Sequence, residues 1–197
     1  AVTISSSGQA KIYIDGVLNG SGTITLNSSI PTQEFTVGTL NSTTTANRFD
    51  GTLDNLVLWD GEMTAGEVSA YSSCLPLASG PNVVGKWSFE EQTGTTTTDS
   101  TGTASGTLSS SSLWSNDTST IVCATTSNPN AGPAIEMDGT NDYISMGTDS
   151  DLAVSTTQGR SFLLDFKADS YGGRLVSRYL NFSTGASSFY ISINSLG

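Results

Sequence analysis

Apolar and polar residues alternate along most of the chain in short runs, each ended by Gly, Asn, Asp or Ser. That period of two is the signature of half-buried strands. Lys11-Ile12-Tyr13-Ile14 runs into Asp15-Gly16, a pair that supplies the positive φ a tight hairpin turn requires. Asn19-Gly20 repeats the turn signal. The same pattern predicts strands over 34–37, 52–59, 83–89, 134–137, 143–146, 161–168, 174–178 and 189–193. Short strands at this spacing, with turns between them, predict an all-β sandwich or barrel.

One segment departs from the pattern. Thr64 followed three residues later by Glu67 is a capping box, and Ala65, Val68 and Tyr71 recur at helical spacing, so a single short helix is expected over 64–71. Residues 78–82 (Ala78-Ser79-Gly80-Pro81-Asn82) lack apolar anchors and read as a linker. The stretches 93–112 and 118–130 are small and polar; the composition of the first allows disorder, and the preferred reading is a long irregular loop pinned across a sheet surface. Phe49-Asp50-Gly51-Thr52 is echoed by Met137-Asp138-Gly139-Thr140, and the echo reads as a recurring turn because its flanks do not repeat.

Several motifs together resemble laminin G-like domains of the concanavalin A-like jelly-roll group. Phe49-x-Gly51-x-Leu53-Asp54-x-Leu56-Val57-Leu58-Trp59, the acidic turn Asp60-Gly61-Glu62 and the capped helix resemble the end of such a domain. Val2-Thr3-Ile4 and Tyr13-Ile14-Asp15-Gly16 resemble its paired strands and hairpin. Lys86-Trp87-Ser88-Phe89-Glu90-Glu91, the loop Asp99-Ser100-Thr101-Gly102 and Met137-Asp138-Gly139-x-Asn141-Asp142-Tyr143 are similar to its beginning. The resemblance implies an all-β jelly-roll sandwich with the order rotated. Residues 1–77 correspond to the C-terminal half of one domain, 78–82 to a linker, and 83–197 to the N-terminal half of the next. Three arrangements satisfy this order: a piece of a tandem array, halves exchanged between neighbouring copies into a filament, or a circular permutant closed by its own halves. Ala1-Val2-Thr3-Ile4 and the strand-like final residues 192–197 read as cuts through a sheet.

Composition narrows the chemistry. Ser and Thr make up 60 of 197 residues, and there is no His, which removes His-based nucleophile pairs and His-ligated zinc. Two cysteines exclude an all-Cys zinc site. A net charge of −11 argues against nucleic acid and anionic lipid as partners. No apolar run approaches the roughly 20 residues of a membrane-spanning helix, so no membrane insertion is expected.

The resemblance implies calcium as a cofactor, with Asp54 and Asp99 as first carboxylates and Glu90, Glu91 and Asp142 as further ones. Hydrogen-bonded turns explain other Asp residues equally well. Glycan binding would need exposed aromatics: Trp114 and Tyr171 qualify, while Trp59 and Trp87 lie in apolar strands and are expected in the core. Related endoglucanases carry three alternating carboxylates on one strand. Glu136-Met137-Asp138 begins such a run, but Gly139-Thr140-Asn141 does not complete it, so no enzyme activity is expected. A Cys74–Cys123 disulfide would enclose 48 residues and stabilise by about 4 kcal/mol in the chain-entropy picture. The expectation is a non-catalytic structural or adhesion module on a cell or virion surface. Its partners would be other copies or neighbouring domains, and surface glycans in the alternative of a calcium-dependent carbohydrate-binding module.

Overall fold

A computed structural model describes residues 1–26, 34–43, 46–73, 80–102, 104–115, 133–148, 152, 159–178 and 189–193. The strands are β1 (Val2–Ile4), β2 (Gln9–Ile14), β3 (Val17–Thr23), β4 (Phe35–Val37), β5 (Asp50–Trp59), β6 (Val83–Trp87), β7 (Thr96–Thr97), β8 (Gly106–Leu108), β9 (Trp114–Ser115), β10 (Ala134–Asp138), β11 (Ile144–Ser145), β12 (Arg160–Ala168), β13 (Arg174–Arg178) and β14 (Phe189–Ser192). One helix, α1 (Ala65–Ser72), follows β5.

They form two sheets, as expected of a jelly-roll sandwich. The first, of eight strands, runs β3-β2-β1-β12-β5-β10-β9, with β6 also paired to β5. The second, of six, runs β14-β13-β4-β11-β8-β7. Both sheets interleave the two portions of the chain: β12 lies between β1 and β5, and β4 lies between β13 and β11. Among the described residues, the two portions flanking the linker therefore close one sandwich within a single chain.

β5 shows why the order works. It is almost wholly buried, because its inner side chains Leu53, Leu56 and Leu58 enter the core between the sheets and its outer ones are covered by α1. Strict alternation cannot place Leu53 and Leu56 on one face. Asn55, at φ 49°, supplies the extra residue opposite a register shift between Leu163 and Asp165. The core gathers Phe35, Phe49, Trp87, Phe89, Ile135, Met137 and Phe162, with Phe35 stacked on Phe162 at 6.1 Å. Gly85 is required beneath Trp87, where a Cβ would lie 2.4 Å from the indole ring. On the outer face Tyr13, Val57, Trp59, Met63 and Val68 pack together, and Tyr71 meets Trp59 edge to face at 5.2 Å. Trp59 and Trp87 are both core residues, as expected.

Two expectations need correction. Residues 93–112 are not one irregular loop, because they contain β7 and β8 and enter a short 3-10 turn over Ser111–Leu113. Apolar positions there are few, but Leu108 is 3% exposed, as is Leu113 just beyond the stretch. Asn19-Gly20 makes no turn, since β3 continues through it with Gly20 opposite Ile12 beside a bulge. The echoed segments are neighbours, with Asp50 and Gly51 facing Asp138 and Met137 across β5 and β10. The stretch 118–130 and both cysteines, Cys74 and Cys123, lie outside the described residues.

Candidate functional site

The carboxylates implied for calcium fall into separate environments. Asp99 is 4% exposed and closes its own loop. Its Oδ1 accepts from the backbone N–H of Lys86 and Thr101, each at 2.9 Å. Its Oδ2 accepts from Thr101 Oγ1 at 2.7 Å and the Ala104 N–H at 3.1 Å. Burial alone would raise its pKa, but these donors outweigh burial and hold it below the ordinary value. Asp142 belongs to a turn, its Oδ2 accepting from the Asp138 N–H at 3.0 Å. Arg48 donates to the Asp142 carbonyl at 3.2 Å and lies 5.0 Å from the Tyr143 ring centre. Glu91 Oε1 accepts from the Thr98 N–H at 2.7 Å and holds the start of the β7–β8 hairpin.

Asp54 and Glu90 differ. Asp54 is fully buried on β5. Its neighbour Asn55 donates a backbone N–H to Oδ1 at 2.8 Å, while Oδ2 has no partner. Burial pushes the Asp54 pKa up to about 7, and the nearby Asp165 and Glu90 charges add to the rise. Asp165 sits directly across from it on β12 and is raised by burial to about 6, opposed by a hydrogen bond from Asn55. Glu90 is also raised, first by burial and then by Glu91, and its Oε1 is buried without a partner. It follows Phe89, one of the few non-Gly residues at positive φ (56°), which turns the chain at the end of β6.

Asp54, Glu90 and Asp165 thus form one electrostatic neighbourhood, and Asp165 was not anticipated. Its sequence signal is faint: one acid interrupting the apolar run Phe162-Leu163-Leu164 before Phe166. Among the described residues, no three Asp, Glu or Cys side chains converge closely enough to hold a metal ion. These carboxylates alone fall short of the six to eight oxygens that calcium takes.

The aromatic candidates are also apart. Trp114 is half-buried against the core and donates Nε1 to the Gly94 carbonyl at 2.8 Å. Tyr171 stands 69% exposed in the loop between β12 and β13. Glu136 and Asp138 are both exposed on one face of β10. Among the described residues, no helix is long and apolar enough to cross a membrane.

Comparison with known proteins agrees with this architecture over part of the chain. A laminin G family model, described as the Concanavalin A-like lectin/glucanases superfamily, matches residues 1–69. That span carries β1 to β5 and most of α1. No curated protein and no solved structure matches the chain. Residues 1–69 are thus similar to a laminin G-type segment of the concanavalin A-like superfamily, and they lie in a two-sheet sandwich.

Proposed function

We propose that this chain is a non-catalytic structural or adhesion module, displayed outside the cell or on a virion surface as one unit of a repeating assembly. One observation carries the reading: Glu34, Glu67, Glu91, Asp99 and Asp142 are each engaged in holding the scaffold. Asp99 closes a loop through four donors, and Glu34 accepts from Ser42 and Ser145. Glu67 caps α1, and Glu91 and Asp142 fasten turns. Groups fixed in this way are poor proton shuttles, because moving the proton breaks the fold's own hydrogen bonds. Incubation with neutral and acidic polysaccharides is expected to release no new reducing ends. Measurable turnover would overturn the reading.

A second reading, calcium-dependent carbohydrate binding, is favoured by the unpartnered buried oxygens of Asp54 and Glu90. A cation there would satisfy both, with backbone carbonyls and water completing its shell. On this reading, millimolar calcium raises the melting temperature, a chelator reverses the rise, and Asp54→Asn abolishes the response. Retention on an immobilised polysaccharide would also be chelator-sensitive and lost in Trp114→Ala.

A further inference from the structure

Both faces of β3 lie in water. Six of its seven residues are exposed, and a Cβ built on Gly20 or Gly22 would meet no atom within 4 Å. The strand contains Asn19-Gly20-Ser21, the Asn-x-Ser triplet that accepts N-linked glycans. Triplets of the same form begin at Asn27, Asn41, Asn116 and Asn181, and a chain this rich in Ser and Thr holds several by composition. The triplet alone therefore decides nothing, and its setting must. Asn27, Asn116 and Asn181 lie outside the described residues. Asn41 is half-buried, and its Oδ1 closes a loop by accepting from the Thr43 N–H at 3.0 Å and Thr43 Oγ1 at 2.9 Å.

Asn19 is set apart by strand register. Ile12 faces Gly20 and Tyr13 faces Leu18, so Asn19 is the extra residue of a β-bulge, with no residue opposite it on β2. A bulge bends its strand and re-aims the side chain it carries. That of Asn19 is exposed, and it borders the same groove as Ile12 and Ile14. The surface beside it is apolar and bare: Ile14 is 44% exposed and Val17, directly across from Ile14, 70%. An exposed apolar patch rimmed by polar residues marks a place where something sits.

We propose that Asn19 is an N-glycosylation site whose oligosaccharide lies over Ile12, Ile14 and Val17. The substrate class is a polyprenyl-diphosphate oligosaccharide. Asn19 Nδ2 forms a bond to the anomeric carbon of the first sugar while the bond from that carbon to the diphosphate oxygen breaks. Polyprenyl diphosphate leaves with the electron pair, and one proton passes from Nδ2 to solvent, so no group is oxidised or reduced. The C–H faces of the sugar rings then cover the aliphatic side chains and the hydroxyls face water.

This site rests on the reading of a module displayed outside the cell, because only an exported chain meets the transferase. The test is expression of the 197-residue chain behind a secretory leader in eukaryotic cells, with peptide mapping of the total cell and medium fractions. Most molecules should carry an oligosaccharide on the peptide containing Asn19, released by peptide N-glycosidase with conversion of that Asn to aspartate. Asn19→Gln and Ser21→Ala, both at exposed positions, should each lower its occupancy at least tenfold with unchanged thermal melts, and Ser21→Thr should keep it. An apolar dye should bind the glycan-bearing chain at least twofold more weakly than the enzymatically stripped one. An unmodified Asn19 in the mapped wild type overturns the site, as does occupancy that persists in Ser21→Ala. Equal dye binding overturns the placement over Ile12, Ile14 and Val17. Polysaccharide turnover by a chain glycosylated at Asn19 would refute the module reading and leave this site standing, whereas a bare Asn19 without turnover refutes the site alone.

Discussion

At the scale of single residues, Asp54 departs furthest from ordinary behaviour. Its carboxyl has an ordinary pKa of 3.8 and rises to about 7 in the fold, chiefly through burial. Between those values the native state holds a proton that the unfolded state has released, so its stabilising contribution is complete below about pH 4. It is lost as pH rises through about 7. The full shift would correspond to several kcal/mol at about 1.4 kcal/mol per unit, and screening reduces this to roughly 2 kcal/mol. In metal-free buffer, wild-type melts should therefore fall between pH 4.5 and pH 8. Asp54→Asn keeps an Oδ1 acceptor for the Asn55 N–H and should melt roughly 4–8 °C above wild type at pH 8, with little difference at pH 4.5. Equal melting temperatures for the two proteins at pH 8 would show that Asp54 is ionised without penalty. Sequence alone singled out Asp54 through its place in a motif. It did not expose Asp165, because cross-strand register at a bulge is a tertiary property. Asp165 faces Asp54 only once Asn55 has shifted the alternation of β5.

At the scale of elements, legibility tracked how much apolar signal each segment carried. β5, β12 and β13 are dense in Val, Leu, Ile and Phe, and their positions were readable within one or two residues of their observed ends. β7, β8 and β9 hold two or three residues each, too few for a period to register, and their surroundings are Ser and Thr. Neighbouring strands of the second sheet define β7 and β8, not their own composition. The Asn19-Gly20 signal failed for a related reason: pairing with β2 on one side overrode a local turn preference. The helix was legible because capping is local chemistry. Thr64 Oγ1 accepts from the Glu67 N–H at 3.3 Å, and the Glu67 carboxylate accepts from the Thr64 N–H at 2.7 Å. Thr64→Ala should cost about 1 kcal/mol, read as a lower urea midpoint, and Thr64→Ser should restore it. α1 also seats Tyr71 on Trp59, so the near-ultraviolet dichroism of Trp59 should weaken in the alanine variant. An unchanged midpoint would mean that packing of Val68 and Tyr71 alone holds the helix.

At the scale of the whole molecule, chain order and spatial order disagree, and that disagreement governs how the protein must fold. Among the described residues of 1–77, β1, β2 and β3 can pair with one another, but β4 has no neighbour from its own portion and β5 borders only β12, β10 and β6. Among the described residues of 83–197, β12 borders only strands of the first portion, and β10 retains β9 alone. Neither portion can cover the inner face it creates: Leu53, Leu56 and Leu58 need β12 beside them, and Phe162 needs Phe35. The backbone groups of β5 and β12 would likewise be left open along their longest shared ladder, and exposed edges of that kind favour association over isolated stability. Fragments 1–77 and 83–197, prepared separately, should therefore show no cooperative thermal transition. Mixed in equal amounts, they should recover one transition together with the buried fluorescence of Trp59 and Trp87. Closing contacts this distant in sequence is slow, so recovery should lag behind refolding of the intact chain and depend on fragment concentration. A fragment that melts cooperatively alone, with native near-ultraviolet dichroism, would mean that each portion is a domain in its own right and that the interleaved sheets do not hold the molecule together.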